Sequence, residues 1–225
     1  MQAAGRASGQ PYHWLLDIDG TLVFTDELYF QVFVKLLTPY GHVVDREFYA
    51  NNVHGKVDAD VFSKLMPAGT SDEELLAMSK RKDACFCELY NQHVEQHGAP
   101  MLNGLPEALQ LAQQMGVRAI AVTNAQRGAG EASIASLRAA IPAASIIEGL
   151  VIGAECSRAK PYPDPYYEGM RQLGVAASDC IVFEDSRCVL GGLRVHFPRV
   201  SSPFVHCERH CPKRTLAIPV PLFHF

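Results

Sequence analysis

The sequence predicts an α/β protein in which a parallel sheet is flanked by helices and interrupted after its first strand by a helical insert. Three observations carry that prediction. Between residues 100 and 186, short apolar runs alternate with helical patterns, as parallel strands joined by crossovers do. A further apolar run, residues 13–17, is separated from them by residues 24–98, which read as helix with no clear strand. Polar residues fall directly beyond the strands, where open parallel sheets hold their ligands.

Residues 13–17 form the first, buried strand. From Glu27 to Leu37 the apolar residues Leu28, Phe30, Val32, Phe33, Leu36 and Leu37 recur at helical spacing, and Pro39-Tyr40-Gly41 stops them. Helical stretches follow near Phe48 and from Val57 to Met66, the latter closed by Pro67. Ser71 to His97 opens with the capping pattern Ser71-Asp72-Glu73-Glu74 and ends at Gly98. Next come a helix from Leu105 to Met115, a strand from Val117 to Val122 and a helix from Gly130 to Ala140. A strand from Ile146 to Ile152, a helix from Pro165 to Leu173 and a strand from Cys180 to Phe183 complete the series. Residues 11–23 and 99–197 are thus assigned to the sheet core, 24–98 to the insert and 198–225 to an atypical tail.

At 225 residues and 48% hydrophobic content, the chain can bury a sizeable interior, which excludes a disordered protein. No apolar run reaches membrane-spanning length and Met1 to Gln10 lack the apolar block of a signal peptide, so a soluble cytoplasmic protein is expected. Seven cysteines at irregular spacing suit reduced thiols. The net charge of −4 is uneven: residues 1–186 carry 14 Lys and Arg against 23 Asp and Glu, and residues 187–225 carry 6 against 1. An acidic body excludes nucleic acid as the main partner.

Asp17-Ile18-Asp19-Gly20-Thr21-Leu22 leaves the first strand. Residues two apart in an extended segment project to one side, so Asp17 and Asp19 converge on one small charged object, a cation with a phosphate. A carboxylate attacks phosphorus only if its charge is offset and the leaving oxygen is protonated. Asp17 suits the nucleophile and Asp19 the general acid/base. Calcium loops and ordinary turns share the Asp-x-Asp-Gly pattern, but here Leu22 and Val23 follow with no further alternate oxygen ligands. Thr123-Asn124, Lys160 and Glu184-Asp185 fall at the ends of later strands. They supply a hydroxyl and amide for phosphoryl oxygens, a positive charge, and two acids for a hard cation such as Mg²⁺.

These motifs, in this order, resemble the haloacid dehalogenase (HAD) superfamily, specifically its phosphatases and mutases similar to beta-phosphoglucomutase. The four stretches are Asp17 to Leu22, Val122-Thr123-Asn124-Ala125, Lys160-Pro161-Tyr162-Pro163 with Pro165, and Phe183-Glu184-Asp185-Ser186. The resemblance spans about residues 13–186 and implies a Rossmann-like core with an inserted α-helical cap. It implies a phosphoaspartate on Asp17, proton transfer by Asp19, and phosphoryl binding by Thr123, Asn124 and Lys160. Mg²⁺ would be held by Asp17, the Asp19 carbonyl and Asp185, with Glu184 as an auxiliary ligand. In similar proteins a loop between cap helices faces the site. His54-Gly55-Lys56 stands there, either reading the substrate or forming an exposed turn.

The implied activity is a Mg²⁺-dependent phosphatase acting on a small phosphorylated metabolite, a sugar or polyol phosphate, in a monomer or weak dimer. The alternatives are a phosphosugar mutase and a catalytically impaired variant with a binding or regulatory role. His93 and His97, four apart on one helix, read as a solvated face, and Cys85 and Cys87 point to different sides of the same helix, one of them into the core. His206, Cys207, His210 and Cys211 lack the spacing of paired zinc hairpins. After Ser186 the family pattern fails. Residues 187–194 imitate its next helix out of step, five prolines fall within 198–225, and Leu216 to Val220 reads as a short edge strand that Pro219 and Pro221 keep from a central place in the sheet. An altered carboxyl end lacking the last strand is expected.

Overall fold

The computed structural model describes residues 12–54, 56–193 and 200–201. Strand β1 (His13–Leu16) leads into helices α1 (Asp26–Leu37), α2 (Arg46–Asn52), α3 (Asp58–Leu65) and α4 (Asp72–His97). The chain returns through α5 (Leu105–Gln114), β2 (Ala119–Thr123), α6 (Arg127–Ala140) and β3 (Ile147–Ile152). It closes with α7 (Asp164–Leu173), β4 (Cys180–Phe183), α8 (Arg187–Leu193) and β5 (Val200–Ser201). The strands form one parallel five-stranded sheet in the order β3-β2-β1-β4-β5. The chain winds outward from β1 to β3 and then crosses to the other side for β4. The connections leaving β1 and β4 therefore diverge, which opens a crevice at their carboxyl ends.

Alternation along the strands sends side chains to two cores. Leu16, Ala119, Ala121 and Phe183 meet Leu105 and Leu109 of α5 and Ile134 and Leu137 of α6. Leu15, Ile120, Val122 and Val182 meet Tyr166, Met170 and Leu173 of α7 on the opposite face. In β3 the register slips between Ala119↔Ile147 and Ile120↔Gly149, so Ile147 and Val151, four apart, serve different cores.

Residues 24–98 hold a third cluster, built on Val32, Phe33, Leu37, Phe62, Phe86 and Tyr90. The 26-residue α4 spans this cap, started by a Ser71–Glu74 capping box and ended at Gly98. Asp45 caps α2 by accepting from Phe48 N at 2.7 Å. The two segments joining cap to sheet run side by side: Phe24 N donates to Pro100 O at 2.7 Å and Leu102 N to Leu22 O at 3.0 Å. Tyr90 of α4 meets Ser136 of α6, hydroxyl to hydroxyl, at 2.7 Å.

Helix α6 starts at Arg127, three residues before the expected Gly130, and its glycines serve close approach. A Cβ on Gly130 would lie 3.2 Å from Leu150, and one on Gly128 would lie 2.6 Å from the Asp83 carboxylate of α4. The expected loss of the last strand is corrected: β5 pairs with β4 through Val182↔Val200 and Phe183↔Ser201, within the stretch assigned to the tail. Its backbone pairs with the last two residues of β4. The edge strand expected at Leu216 to Val220 and the His206–Cys211 group lie outside the described residues, as does Gly55. No helix among the described residues is long and apolar enough to cross a membrane.

Candidate active site

The segments that follow β1, β2, β3 and β4 at the carboxyl end of the sheet bring Asp17, Asp19, Thr123, Asn124, Lys160, Glu184 and Asp185 together. Asp17 extends β1 by one step, its N–H donating to Phe183 O at 3.0 Å. The chain then folds back at once: Leu22 N donates to Ile18 O at 2.8 Å and Gly20 N to Val23 O at 2.8 Å. Gly20 sits at φ +82°, and a Cβ there would lie 2.4 Å from Asp185 Oδ2. Glycine thus supplies both the turn and the room for a carboxylate from the neighbouring strand.

Asp17, Lys160 and Glu184 are buried together. Lys160 Nζ donates to Asp17 Oδ1 at 2.5 Å and to Glu184 Oε2 at 3.0 Å. Glu184 Oε2 also accepts from the Tyr166 hydroxyl at 2.5 Å, and its Oε1 from Ser186 N at 3.1 Å. The other oxygen of Asp17, Oδ2, is buried with no hydrogen-bond partner. An open carboxylate oxygen in such a place costs stability until something charged meets it.

Asp19 is held by two hydroxyls, Thr25 Oγ1 at 2.6 Å and Thr123 Oγ1 at 3.4 Å. Thr123 ends β2, one residue later than the sequence suggested, and its oxygen also accepts from Ala125 N at 2.9 Å. The Asn124 side chain clasps the backbone of Lys160, donating to its carbonyl at 2.9 Å and accepting from its N–H at 3.0 Å. A Cβ on Gly153 would collide with that amide at 2.2 Å. Both side chains expected to meet phosphoryl oxygens therefore also work as scaffold, one for the acid and one for the lysine.

Burial, reinforced by the Glu184 carboxylate and opposed by the Lys160 ammonium, holds Asp17 well above the usual carboxylate range. Burial also raises Asp19, against the bond from Thr25. For Lys160, burial works against the charge, but Asp17 and Glu184 outweigh it and lift the ammonium above its ordinary value. Asp19 is thus biased toward carrying a proton, and Lys160 is held as a cation.

Asp17, Glu184 and Asp185 offer carboxylate oxygens within 4.8 Å of one another, the one such group of acidic, histidine or cysteine side chains among the described residues. All-oxygen donors with a buried open oxygen fit a hard divalent cation. His93 and His97 have their rings 5.0 Å apart but gather no third ligand among the described residues. Cys85 is buried and Cys87 half-buried, both free.

The cap contributes charged groups of its own. His54 Nε2 lies 3.5 Å from Asp26 Oδ1, and Lys56 Nζ donates to the Asn51 carbonyl. Sequence reasoning missed Lys82, which is buried on α4, ion-paired with Asp58 at 2.8 Å and 5.4 Å from the Tyr29 ring centre. Its charge favours the ionised form of Asp19. The available signal was a lysine on the stripe of Met78, Cys85 and Phe86, where helical periodicity demands an apolar residue. Tyr166 was missed because its spacing with Met170 and Leu173 reads as ordinary core.

The buried Asp17 carboxylate beside Lys160, with Asp19 and the Glu184–Asp185 acids at the ends of parallel strands, suits a phosphoric monoester hydrolase, the class that the comparisons with known proteins show. The chain belongs to the haloacid dehalogenase-like hydrolase family, whose model matches residues 14–188. It is 28% identical over 191 residues to "Protein CbbY" of Rhodobacter capsulatus, covering 83% of this chain and 82% of that one. It is 30% identical over 176 residues to "Validoxylamine A 7'-phosphate phosphatase" of Streptomyces hygroscopicus subsp. limoneus, covering 76% of each. Among solved structures, CbbY from Rhodobacter sphaeroides in complex with phosphate superposes with a TM-score of 0.71 at 22% identity, covering 91% of both chains.

Proposed function

We propose that this protein is a Mg²⁺-dependent phosphatase of a small phosphorylated sugar or polyol, working through a phosphoaspartate on Asp17. The observation that carries the reading is the buried Asp17 carboxylate, one oxygen bonded to Lys160 and the other without a hydrogen-bond partner, in a group with Glu184 and Asp185. Relatives with the names "Validoxylamine A 7'-phosphate phosphatase", "Phosphorylated carbohydrates phosphatase" and "Hexitol phosphatase A" support a phosphorylated sugar or polyol as substrate.

Asp17 and Asp185 would hold the cation, with the Asp19 carbonyl. When bound, it offsets negative charge on the carboxylates and on the phosphoryl group. Lys160 neutralises the same charge from the other side. An oxygen of Asp17 attacks phosphorus while the bond from phosphorus to the substrate oxygen breaks, and Asp19 gives its proton to the departing alkoxide. Asp19 then takes a proton from water as that water attacks the phosphoaspartate. Orthophosphate leaves and Asp17 is restored. The raised pKa of Asp19 suits a group that must hold a proton before giving it up. His54 and Lys56, on the cap, would read the hydroxyl-bearing part of the substrate. The solution setting is the cytoplasm.

Phosphate release from a panel of sugar and polyol monophosphates, with Mg²⁺ and with chelator, tests this. Release that requires Mg²⁺ is the expected result. Isomerised phosphosugar in place of free phosphate means a mutase, and no turnover across the panel removes the reading.

A further inference from the structure

Both oxygens of Glu184 are engaged within the protein. Oε1 accepts from Ser186 N at 3.1 Å, and Oε2 accepts from Lys160 Nζ at 3.0 Å and the Tyr166 hydroxyl at 2.5 Å. Tyr166 is fully buried on α7, and the Lys160 ammonium lies 5.4 Å from its ring centre. Its ring packs among Leu15, Val182 and Met170, where a phenylalanine would bury the same apolar area. The hydroxyl is the part that packing leaves unexplained, and the acceptor it reaches is the carboxylate that holds the lysine.

We propose that Tyr166 is a positioning residue for phosphoryl transfer, acting through Glu184 to hold the Lys160 ammonium against Asp17. The proposal rests on the reading of Asp17 and Lys160 given above. Lysine has three N–H donors. One goes to Asp17 and one to Glu184, which leaves one for a phosphoryl oxygen. Because Tyr166 shares Oε2, that oxygen holds Lys160 less strongly, and the ammonium sits closer to Asp17, 2.5 Å against 3.0 Å. The same bond fixes the Glu184 rotamer. Without the hydroxyl, the undivided oxygen draws the ammonium away from Asp17 and from the arriving phosphoryl group. Glu184 then serves Lys160 first, and the cation only through it.

Tyr166→Phe keeps the ring and removes the oxygen. Calorimetric binding of orthophosphate in the presence of Mg²⁺, kcat and KM on a hydrolysed monophosphate, and the thermal midpoint are measured together. The expected result is orthophosphate binding about tenfold weaker with KM raised alongside it, the scale of one hydrogen bond to a charged group. kcat should move less than KM and the thermal midpoint should hardly move. In a Glu184→Gln background the same substitution should lose most of its effect, since the hydroxyl acts through the carboxylate. Unchanged phosphate binding in Tyr166→Phe overturns the proposal, whether or not stability falls. So does an undiminished effect in the Glu184→Gln background. A wild-type protein that neither hydrolyses phosphomonoesters nor binds orthophosphate overturns the reading of the site and this inference with it. A wild type that does both, with an identical Tyr166→Phe, overturns the inference alone.

Discussion

The sheet and the cap each bury a lysine against carboxylates, and they do so in opposite ways. On the cap, Lys82 is given wholly to Asp58, with contacts of 2.8 and 3.0 Å to its two oxygens. At the sheet, Lys160 is divided between Asp17 and Glu184, and Asp17 Oδ2 is left buried without a partner. The first pair is closed and holds helices α3 and α4 together. The second is an incomplete network, unfavourable until a cation and a phosphoryl group complete it. Buried charge therefore marks function here only where the pairing is unfinished.

The difference is sharpest in Asp17→Asn. Phosphate release should fall roughly a thousandfold or more, as expected for loss of a covalent nucleophile. Thermal unfolding in chelator should show the variant at least as stable as the wild type, because a buried charge has been removed from a crowded acidic site. A less stable variant would mean that the network at the sheet is closed like that on the cap. Asp19→Asn comes next, with kcat lowered by about a hundredfold or more and KM little changed, the usual reach of one general acid. Steady-state kinetics separates the two constants.

Lys82→Met inverts the experiment on the cap. It strands a largely buried Asp58 and should cost about 3 kcal/mol, the lower end for a broken buried pair, because Asp58 keeps some exposure. Urea unfolding measures the loss, and Lys82→Met with Asp58→Leu should recover most of it. Loss of activity without loss of stability would place Lys82 with the substrate instead of with Asp58.

The smallest effect lies at the far end of β1. His13 Nδ1 accepts from Arg118 N at 3.2 Å, which requires the neutral ring on that side. Burial, then the nearby Arg118 charge, lowers its pKa from the ordinary 6.5. Between that value and the lower folded one, the unfolded chain binds more protons, so stability falls as pH drops below about 6.5 and levels off below the folded pKa. Thermal midpoints of wild type and His13→Gln from pH 5 to 8 should converge on the acid side, without the catalytic network taking part.

Legibility in the sequence followed the same division. Asp17, Asp19, Thr123, Asn124, Lys160, Glu184 and Asp185 could be picked out because each lies within a residue or two of a strand or on a proline-marked loop beside one. Backbone direction alone then places them together. The strands were also readable, with the end of β2 displaced by one residue where Thr123 stays in the ladder, while α6 starts three residues ahead of the expected Gly130, with Gly128 and Gly130 inside it. Lys82 and Tyr166 were hidden because each occupies a position that helical periodicity assigns to core. Spacing reports that a side chain points inward, and says nothing of the polar atom it carries there. The fifth strand was hidden for a related reason: Val200-Ser201 has no pattern of its own and joins the sheet because β4 offers an open ladder.

The order and spacing of residues suffice for the chemistry: carboxylates two apart at a strand end, a glycine to turn the chain, then a hydroxyl, a lysine and an acid pair at successive strands. These are local consequences of strand geometry and need no knowledge of packing. How the charges are shared is a matter of tertiary structure. Which oxygen of Asp17 stays open, that Asn124 clasps the backbone of Lys160, and that Tyr166 stands behind Glu184 depend on distances between groups far apart in the chain. Hydrogen bonds and ion pairs resolve differences of a few tenths of an ångström, and packing alone sets those.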